Sequence, residues 1–248
     1  MQDIYNLTKC SVDSLKIRIP LALLDSYDKS IVRVIQEVDE ETCEIERVFK
    51  KTAKTYSFDT FKLTANIFKV NSIDSLILLV NSKQVAYNYF SGITLSTIRT
   101  IYEISISANI LNCSFSTFMQ ANCTDTDFKK DFPCIIDEYK QMINGLNTMG
   151  LTSTTRGHGA NKMPNSLGIE FNSRLTATIS KPFVKVYHKE IELQENSYDF
   201  ADRYLSDINY KDIIRIESTV KDKKHFKTLL PELKDTSLDS ILNLNTSQ

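Results

Sequence analysis

The sequence has little of several features that would indicate a function at once. Its 248 residues carry a formal net charge of −1, so contact with nucleic acid would need a local basic patch. Five cysteines occur without CxxC spacing, which predicts reduced thiols in a cytosolic protein rather than disulfides or a zinc site. No apolar run approaches the roughly 20 residues of a membrane span. The first residues do not resemble a signal peptide, so we expect a cytoplasmic protein without a membrane partner.

Glycine, proline and histidine are also scarce, with 6, 5 and 3 residues. With 42% hydrophobic residues, the chain can bury a sizeable core. We found no internal repeat and no convincing linker. The organisation expected is therefore one large domain over residues 1–235, followed by a helical tail over residues 236–248.

Alternation of apolar and polar residues predicts most of the secondary structure. In residues 12–19, Leu15 and Ile17 would face inward while Lys16 and Arg18 face outward, and Pro20 would end the strand. Further strands are expected within 56–80 and over 122–128, 167–172, 176–189 and 213–221. Helices are expected over 94–111, 133–150, 199–207, 223–230 and 238–244. Residues 39–54 fit an exposed helix or a hairpin, and residues 151–166 fit a mobile loop.

These elements predict an α+β protein. Strands with one apolar and one polar face favour a largely antiparallel central sheet, with helices covering its apolar face.

The stretch Phe183–Leu193 is the most unusual of the predicted strands. Residues two apart on a strand share a face, so Lys185, Tyr187 and Lys189 would point one way. Val184 and Val186 would point the other way. One face can be buried, while the other presents a phenol between two positive charges.

Other predicted strands carry charged residues on their polar faces. Asp125 and Asp127 would share a face with Cys123, and Arg215 and Glu217 would share a face on a strand whose isoleucines point inward. Carboxylates suit a divalent cation such as Mg²⁺ or Mn²⁺, which could polarise a phosphodiester. Lysines could position the phosphate, and a tyrosine could attack phosphorus and hold one DNA end covalently.

Each of these residues also has an ordinary structural explanation. A single tyrosine on a strand commonly serves packing, and Lys185 and Lys189 could form a solvated face. The two aspartates could be turn or surface residues, and Arg215 and Glu217 could pair across the sheet. The pattern therefore allows a nuclease, a single-strand binding module or an interaction protein.

The order of several short segments resembles the rolling-circle replication initiators of filamentous phages and their plasmid relatives. Val186-Tyr187-His-Lys189-Glu-Ile-Glu192-Leu193 resembles the family's Tyr-x-Lys-x-x-Glu-Leu motif. Ile214-Arg215-Ile216-Glu217 resembles its Arg-Phe-Glu strand, and Asp125-Thr-Asp127-Phe resembles its acidic strand. The opening strand 12–20 and the segment Asn88-Tyr-Phe90-Ser-Gly92 also resemble family segments. The similarity extends over about residues 12–232.

The resemblance implies a nicking-closing DNA endonuclease built on the initiators' palm, a ferredoxin- or RRM-like sheet. Tyr187 would be the nucleophile that becomes linked to a 5′-phosphate, and Lys189 and Arg215 would steady the scissile phosphate. Asp127, Glu217 and, less directly, Asp125 would hold Mg²⁺ or Mn²⁺. Glu192 matches the motif, either as a ligand or at a helix start.

The resemblance also implies partners. Origin DNA, both double- and single-stranded, would be bound in a bacterial host cell, with a host helicase as a further candidate partner. Lys185, Arg18, Arg156 and Lys162 are the expected DNA contacts. The chain departs from many rolling-circle initiators because His158, His188 and His225 form no His-hydrophobic-His pair, so a metal would depend on carboxylates.

Overall fold

The structure, a computed structural model, describes residues 10–39, 41–148, 152–153, 160–162, 168–172, 174, 177–178, 182–221 and 223–244. The strands are β1 Ser11–Pro20, β2 Ser26–Tyr27, β3 Arg33–Val38, β4 Ile45–Lys51, β5 Ala53–Ser57, β6 Lys62–Val70, β7 Ile73–Asn81, β8 Leu111–Asn112, β9 Asn122–Pro133, β10 Thr152–Ser153, β11 Ala160–Lys162, β12 Gly168–Phe171, β13 Phe183–His188 and β14 Ile213–Val220. The α-helices are α1 Ile98–Ser107, α2 Phe115–Met119, α3 Ile136–Thr148, α4 Lys189–Asn196, α5 Tyr198–Leu205, α6 Lys223–Leu229 and α7 Leu238–Leu244. Three 3₁₀ segments span Leu21–Leu23, Lys29–Ile31 and Ser82–Ser91.

One large sheet organises the molecule. Within the described residues it has ten strands in the order β10-β11-β12-β13-β14-β9-β1-β7-β6-β5. Its neighbours pair antiparallel, except for the parallel pair β10 and β11. The predicted α+β class with a largely antiparallel central sheet is confirmed.

The first face of the sheet carries the main hydrophobic core. Leu15, Ile17 and Ile19 of β1 are buried there, as the alternation predicts. Helices α1, α2, α6 and α7 contribute buried side chains to this core, among them Ile98, Phe118, Phe226, Leu238 and Ile241. A smaller cluster on the same face joins α3 to β12 through Tyr139, Ile143 and Ile169.

The second face of the sheet is also covered. The 3₁₀ segment Ser82–Ser91 and helices α4 and α5 share a separate apolar cluster that contains Tyr89, Leu193 and Phe200. Ser82 donates a hydrogen bond to Asp13 of β1, which ties this layer to the sheet. Helices therefore lie on both faces, not only on the apolar one, and charged strand residues beneath this layer are buried.

Several boundaries differ from the sequence-based ones. Strands β3 and β4 pair antiparallel as a hairpin, and within residues 39–54 the described elements are β4 and the start of β5, which favours the hairpin over the helix. Strand β9 continues to Pro133, so helix α3 begins at Ile136 and not at the proline. Strand β13 ends at His188, and Lys189 is the first residue of α4.

The C-terminal helix α7 is part of the main core. Leu238, Ile241 and Leu242 are fully buried, and Ser237 forms an isolated bridge to Asn122 of β9. The domain boundary at residue 235 stays a prediction, although the helix after it packs against the sheet. No helix in the described part of the chain combines the length and apolar character needed to span a lipid bilayer.

Candidate functional site

Strands β13 and β14 bring the predicted catalytic residues together on the second face. In their antiparallel register, Tyr187 lies opposite Arg215 and Lys185 lies opposite Glu217. Directly opposite residues of a pair share a face, so all four side chains point to the same side. Val184 and Val186 lie on the other face, as expected, and His188 points away from Tyr187 and packs on Tyr139.

The Tyr187 hydroxyl donates a hydrogen bond to the Glu217 Oε1 atom. Lys185 Nζ lies 2.8 Å from Glu217 Oε2, so the carboxylate is shared between the phenol and an ammonium group. Tyr187 is 6% exposed, and burial, followed by the Glu217 charge, raises its pKa well above its usual value. The phenol is therefore neutral in the resting protein, with a proton acceptor already in contact.

Arg215 lies at the centre of a buried ion network. Its guanidinium donates to both carboxylate oxygens of Asp131 and, through Nη1, to Asp13 at 2.8 Å. Burial alone would raise the pKa of Asp131, but the charges of Arg215 and Lys129, together with the Arg215 hydrogen bond and the Lys189 charge, hold that pKa below its usual range. Arg215 was expected to face outward, yet it is fully buried. The layer that contains Tyr89 covers this face of the sheet, and the Tyr89 hydroxyl accepts a further hydrogen bond from Arg215.

A β-bulge explains how Asp13 reaches this network. Between Val12 and Ser14 the register of β1 against β9 shifts, which inserts one extra residue. Asp13 and Ser14 consequently both point to the second face, while Val12 stays in the main core. The pKa of Asp13 is lowered, because Arg215 and then Lys129 outweigh the effect of its burial.

Lys129 is buried in the same network. Its ammonium group lies 3.0 Å from the backbone carbonyl oxygens of both Tyr89 and Phe90, and 3.6 Å from Asp131. Burial and the nearby Arg215 charge lower its pKa to about 7. Lys129 thus holds the 3₁₀ segment against the sheet. Its pKa lies near neutral pH, so its ammonium group is only partly protonated there.

Lys189 contacts Tyr187 from the first turn of α4. Its Nζ lies 5.1 Å from the centroid of the Tyr187 ring and 2.6 Å from Glu192 Oε2. Glu192 lies in the first helical turn, paired to a lysine. Burial raises its pKa, but the charges of Lys189 and Lys83 and the Lys189 hydrogen bond together leave that pKa below its usual value. Lys189 is 2% exposed, so it can act on the phenol but does not face solvent.

Asp127 lies next to the tyrosine cluster. It accepts hydrogen bonds from Ser14 at 2.6 Å, Thr219 at 2.5 Å and Arg174 at 3.2 Å. Thr219 is two residues from Glu217 on β14, which places the two carboxylates on one face about 7 Å apart along the strand. The structure thus brings Asp127 and Glu217 to the same surface, as the sequence indicated.

Asp125 and Arg18 lie further along the same face. Asp125 forms an ion pair with Lys16, and Arg18 lies half-buried opposite Asn122 and Ile77. The prediction that Cys123 shares the face of the two aspartates is wrong. A register shift between Leu15 and Ile17 turns Cys123 into the main core, where it is buried.

The fit of a divalent cation can be tested against these contacts. Among the described residues, no group of three or more histidine, cysteine, aspartate or glutamate side chains is arranged to hold a metal ion. Glu217, Asp127 and Asp125 are each paired with a cation, namely Lys185, Arg174 and Lys16. Their oxygens are suitable ligands, but the arrangement as it stands does not fit a metal. The metal requirement stays a prediction.

Two predicted DNA contacts cannot be placed. Arg156 lies outside the described residues, as does most of the predicted loop 151–166. Lys162 is the last residue of β11 and pairs with Ile169 of β12, but its side chain lies outside what is described. Lys185 is described, and its contact is with Glu217.

Sequence reasoning missed four residues of the cluster: Asp13, Lys129, Asp131 and Tyr89. The signal for two of them was present, because the alternation of Asp125 and Asp127 continues through Lys129 and Asp131. Tyr89 lies in Asn88-Tyr-Phe90-Ser-Gly92, a segment that resembles part of the initiator family. Its hydroxyl is 3.4 Å from Arg215 Nη1. Asp13 had no such signal, since a bulge breaks the alternation there.

Comparison with known proteins gives a distant structural neighbour. The solved structure of a rolling circle replication initiator protein from Geobacillus stearothermophilus is similar over 90% of this chain and 78% of that chain, at 11% sequence identity and a TM-score of 0.36. A similarity of that strength carries no argument about this chain. No family model matches the sequence, and the comparison with curated proteins gives no match.

Proposed function

We propose that this protein is a replication initiator that nicks and rejoins origin DNA in rolling-circle replication, with Tyr187 as the nucleophile. The observation that carries the proposal is the contact of the Tyr187 hydroxyl with Glu217, which Lys185 also binds. This contact lies in the two segments that resemble the initiators' tyrosine motif and Arg-Phe-Glu strand. A tyrosine with a hydrogen-bonded base and two nearby lysines is the arrangement that phosphodiester transesterification needs.

The chemistry follows from the contacts. Glu217 accepts the phenolic proton as the Tyr187 oxygen attacks the scissile phosphorus. A new bond forms between phosphorus and the tyrosine oxygen, and the bond to the 3′ oxygen breaks. That oxygen leaves as a hydroxyl by taking a proton from water, and the proton held on Glu217 returns to the water. The 5′-phosphate stays on Tyr187. Attack of a 3′-hydroxyl on the phosphotyrosine reverses the step, so rejoining needs no ATP.

The positive residues have separate tasks in this proposal. Lys185, at 22% side-chain exposure, is the cation of the cluster best placed to meet a phosphate oxygen. Lys189 lies against the tyrosine ring and favours the phenolate as it forms. Arg215 is occupied by Asp131 and Asp13, so in the resting protein it positions the strand beneath Tyr187. DNA must open access to the buried phenol before attack can take place.

The test uses supercoiled origin DNA with Mg²⁺ or Mn²⁺. Wild-type protein is expected to give relaxed circles and a DNA-linked protein band. The variant Tyr187→Phe is expected to bind DNA but give neither product. Tyr87→Phe, which alters an exposed tyrosine, is the matched control and should behave as wild type. A covalent adduct on Tyr187→Phe would place the nucleophile on another tyrosine, and nicking by neither protein would exclude the activity.

The metal requirement is tested in the same assay. A chelator added before DNA should prevent nicking if the expected Mg²⁺ or Mn²⁺ is needed, and undiminished nicking would exclude it. Lys185 and Arg174 pair with Glu217 and Asp127, two of the carboxylates that were expected to hold the metal. Loss of nicking in Lys185→Ala and Arg174→Ala would show that the charges of these two residues replace a metal.

A second candidate function is a single-strand binding module without catalysis. The observation that favours it is the 6% exposure of Tyr187, whose pKa is raised by burial and by Glu217. A nucleophile in that state needs a rearrangement before it can react, whereas a buried structural tyrosine does not. Binding of DNA without any adduct, at any pH and with either metal, would select this candidate.

A further inference from the structure

Two clefts meet on the second face, beside the tyrosine cluster. The first has a volume of about 420 Å³ and contains Ser14, Lys16 and Arg174 in its lining. The second has a volume of about 600 Å³ and contains Phe58, Phe61 and Tyr198. Both clefts are lined by Lys62 and Asn81, so they adjoin at these two residues, and together they are called the channel below.

The first cleft leads to the tyrosine cluster. Ser14 and Arg174, which line it, both donate hydrogen bonds to Asp127. Asp127 in turn accepts from Thr219, two residues along β14 from Glu217. A chain lying in this cleft therefore ends about two strand residues, roughly 7 Å along β14, from Glu217, the partner of the Tyr187 hydroxyl.

The charges of the first cleft favour phosphates. Lys16, Lys62 and Arg174 line it; Lys16 is paired with Asp125 and Arg174 with Asp127, so Lys62 supplies the unpaired positive charge. Lys62 is exposed, and no carboxylate of the described residues pairs with it. An exposed lysine without a carboxylate partner can bind a phosphate group of a nucleic-acid backbone.

The second cleft offers aromatic rings. Phe58 and Phe61 stack with their centroids 4.8 Å apart, and Tyr198 is 64% exposed. Three carboxylates, Asp59, Glu195 and Asp199, line this cleft against two lysines, Lys62 and Lys83, so phosphates are less favoured there than in the first cleft. Exposed aromatic faces suit nucleobases, which stack on any such ring.

We propose that this channel binds one single strand of DNA, with phosphates along Lys16, Lys62 and Arg174 and bases against Phe61 and Tyr198. The inference rests on the proposed function, because it identifies this channel as the route by which the strand reaches Tyr187. It also assigns different contacts to the two ends of the bound strand. The end nearest Tyr187 is held by positive charges, and the distant end is held by stacking on aromatic rings.

Equilibrium binding of a labelled single-stranded oligonucleotide across a series of salt concentrations tests the channel. Lys62→Ala should weaken binding and reduce the slope of log affinity against log salt by about 0.7, the value for one lost phosphate contact on a single strand. Lys69→Ala is the matched control, because Lys69 is an exposed lysine on the same strand that lines neither cleft. Equal behaviour of the two variants would overturn the phosphate half of the channel.

The aromatic half has its own test. Tyr198→Ala should weaken binding by about tenfold, the effect of one lost stacked base, while leaving the salt slope unchanged. Tyr87→Ala is the control, because Tyr87 is 69% exposed but lines neither cleft. Wild-type affinity in Tyr198→Ala, or equal loss in Tyr87→Ala, would overturn base stacking there.

The nicking assay separates this inference from the function on which it rests. If wild-type protein nicks DNA but Lys62→Ala and Lys69→Ala bind alike, the channel is wrong and the initiator function stands. If Lys62→Ala alone loses affinity but wild-type protein never nicks, the channel stands without catalysis. No binding of single strands by wild-type protein would overturn the channel.

Discussion

Arg215 donates two parallel hydrogen bonds to Asp131, Nε to Oδ1 at 2.7 Å and Nη2 to Oδ2 at 2.9 Å, between two buried side chains. The pair joins β14 to β9, and Asp13 extends it to β1. Three adjacent strands are thus connected through side chains as well as through backbone hydrogen bonds. The layer of α4, α5 and the 3₁₀ segment Ser82–Ser91 covers this connection.

Breaking this pair should destabilise the fold strongly. Arg215→Met leaves the buried Asp131 and the partly buried Asp13 without their main cation, and loss of one partner of a buried pair typically costs about 3–5 kcal/mol. We expect a decrease of that size in the free energy of unfolding, measured by urea denaturation. Arg203→Met is the control, because Arg203 pairs with Asp59 at the surface, where the side chains are 52% and 77% exposed. Arg203→Met should leave the free energy of unfolding unchanged. A similar decrease in both variants would show that the buried pair stabilises the fold no more than the surface pair does.

A pair of glycines gives a second stability prediction. Gly92 has φ 74° and ψ −163°, a region open essentially to glycine alone, and a Cβ there would lie 2.5 Å from the Val12 carbonyl oxygen. Gly92→Ala should therefore lower the free energy of unfolding by about 1–3 kcal/mol. It should also loosen the segment that Lys129 binds.

Gly145 provides the contrast within helix α3. A Cβ there meets nothing within 4 Å, and alanine is a better helix former than glycine. Gly145→Ala should raise the free energy of unfolding by about 0.5–1 kcal/mol. The same urea titration measures both variants, and a stabilising Gly92→Ala would show that the backbone there is not constrained as described.

Local periodicity predicted a large part of the fold. The alternation in β1 placed Leu15, Ile17 and Ile19 in the core, and the two-residue period correctly put Tyr187 and Lys185 on one face. Such features follow from neighbouring residues in the chain, so they can be read from a single sequence.

The burial of the polar face could not be predicted in this way. Arg215 and Glu217 alternate with isoleucines along β14, and this pattern predicts that the two charged residues are exposed. Ile214 and Ile216 are in fact half-buried, while Arg215 and Glu217 are buried. What reverses the expectation is the strand order β14-β9-β1 and the layer above it, and both are long-range features. The same holds for Asp13, which only a bulge directs into the network.

His188 should make stability depend on pH. Neither of its ring nitrogens has a hydrogen-bond partner among the described residues, and burial lowers its pKa, although the nearby Cys134 backbone opposes part of the shift. Below the unfolded-state pKa of about 6.5, the unfolded chain takes up a proton that the folded protein resists. The free energy of unfolding should therefore fall as pH decreases from 7 to 5.

Urea titrations at several pH values measure this dependence. His188→Phe keeps a ring against Tyr139 and should flatten the decline between pH 7 and 5. His225→Gln, which changes a histidine of α6, is the control and should retain the wild-type slope. An equally steep decline in His188→Phe would assign the pH dependence to other groups.

Glu217 gives the sharpest prediction about catalysis. It accepts the hydrogen bond of the Tyr187 hydroxyl, so Glu217→Gln removes the proton acceptor while keeping nearly the same shape. A positioned general base typically contributes about 10²–10⁴-fold in rate, and we expect a loss of that size in single-turnover nicking. Glu190→Gln, a change of a neighbouring helix glutamate that accepts a hydrogen bond from Gln194 and does not contact Tyr187 among the described residues, is the control and should keep the wild-type rate.

The pH dependence of nicking separates a base from a structural partner. Because burial and Glu217 raise the pKa of Tyr187, the wild-type rate should increase with pH as the phenol becomes easier to ionise. In Glu217→Gln, high pH should restore part of the lost rate, since hydroxide can remove the proton that the side chain no longer accepts. A variant whose rate stays low at every pH, with DNA binding and urea stability unchanged, would show that Glu217 acts on the phosphate or a metal and not on the phenol.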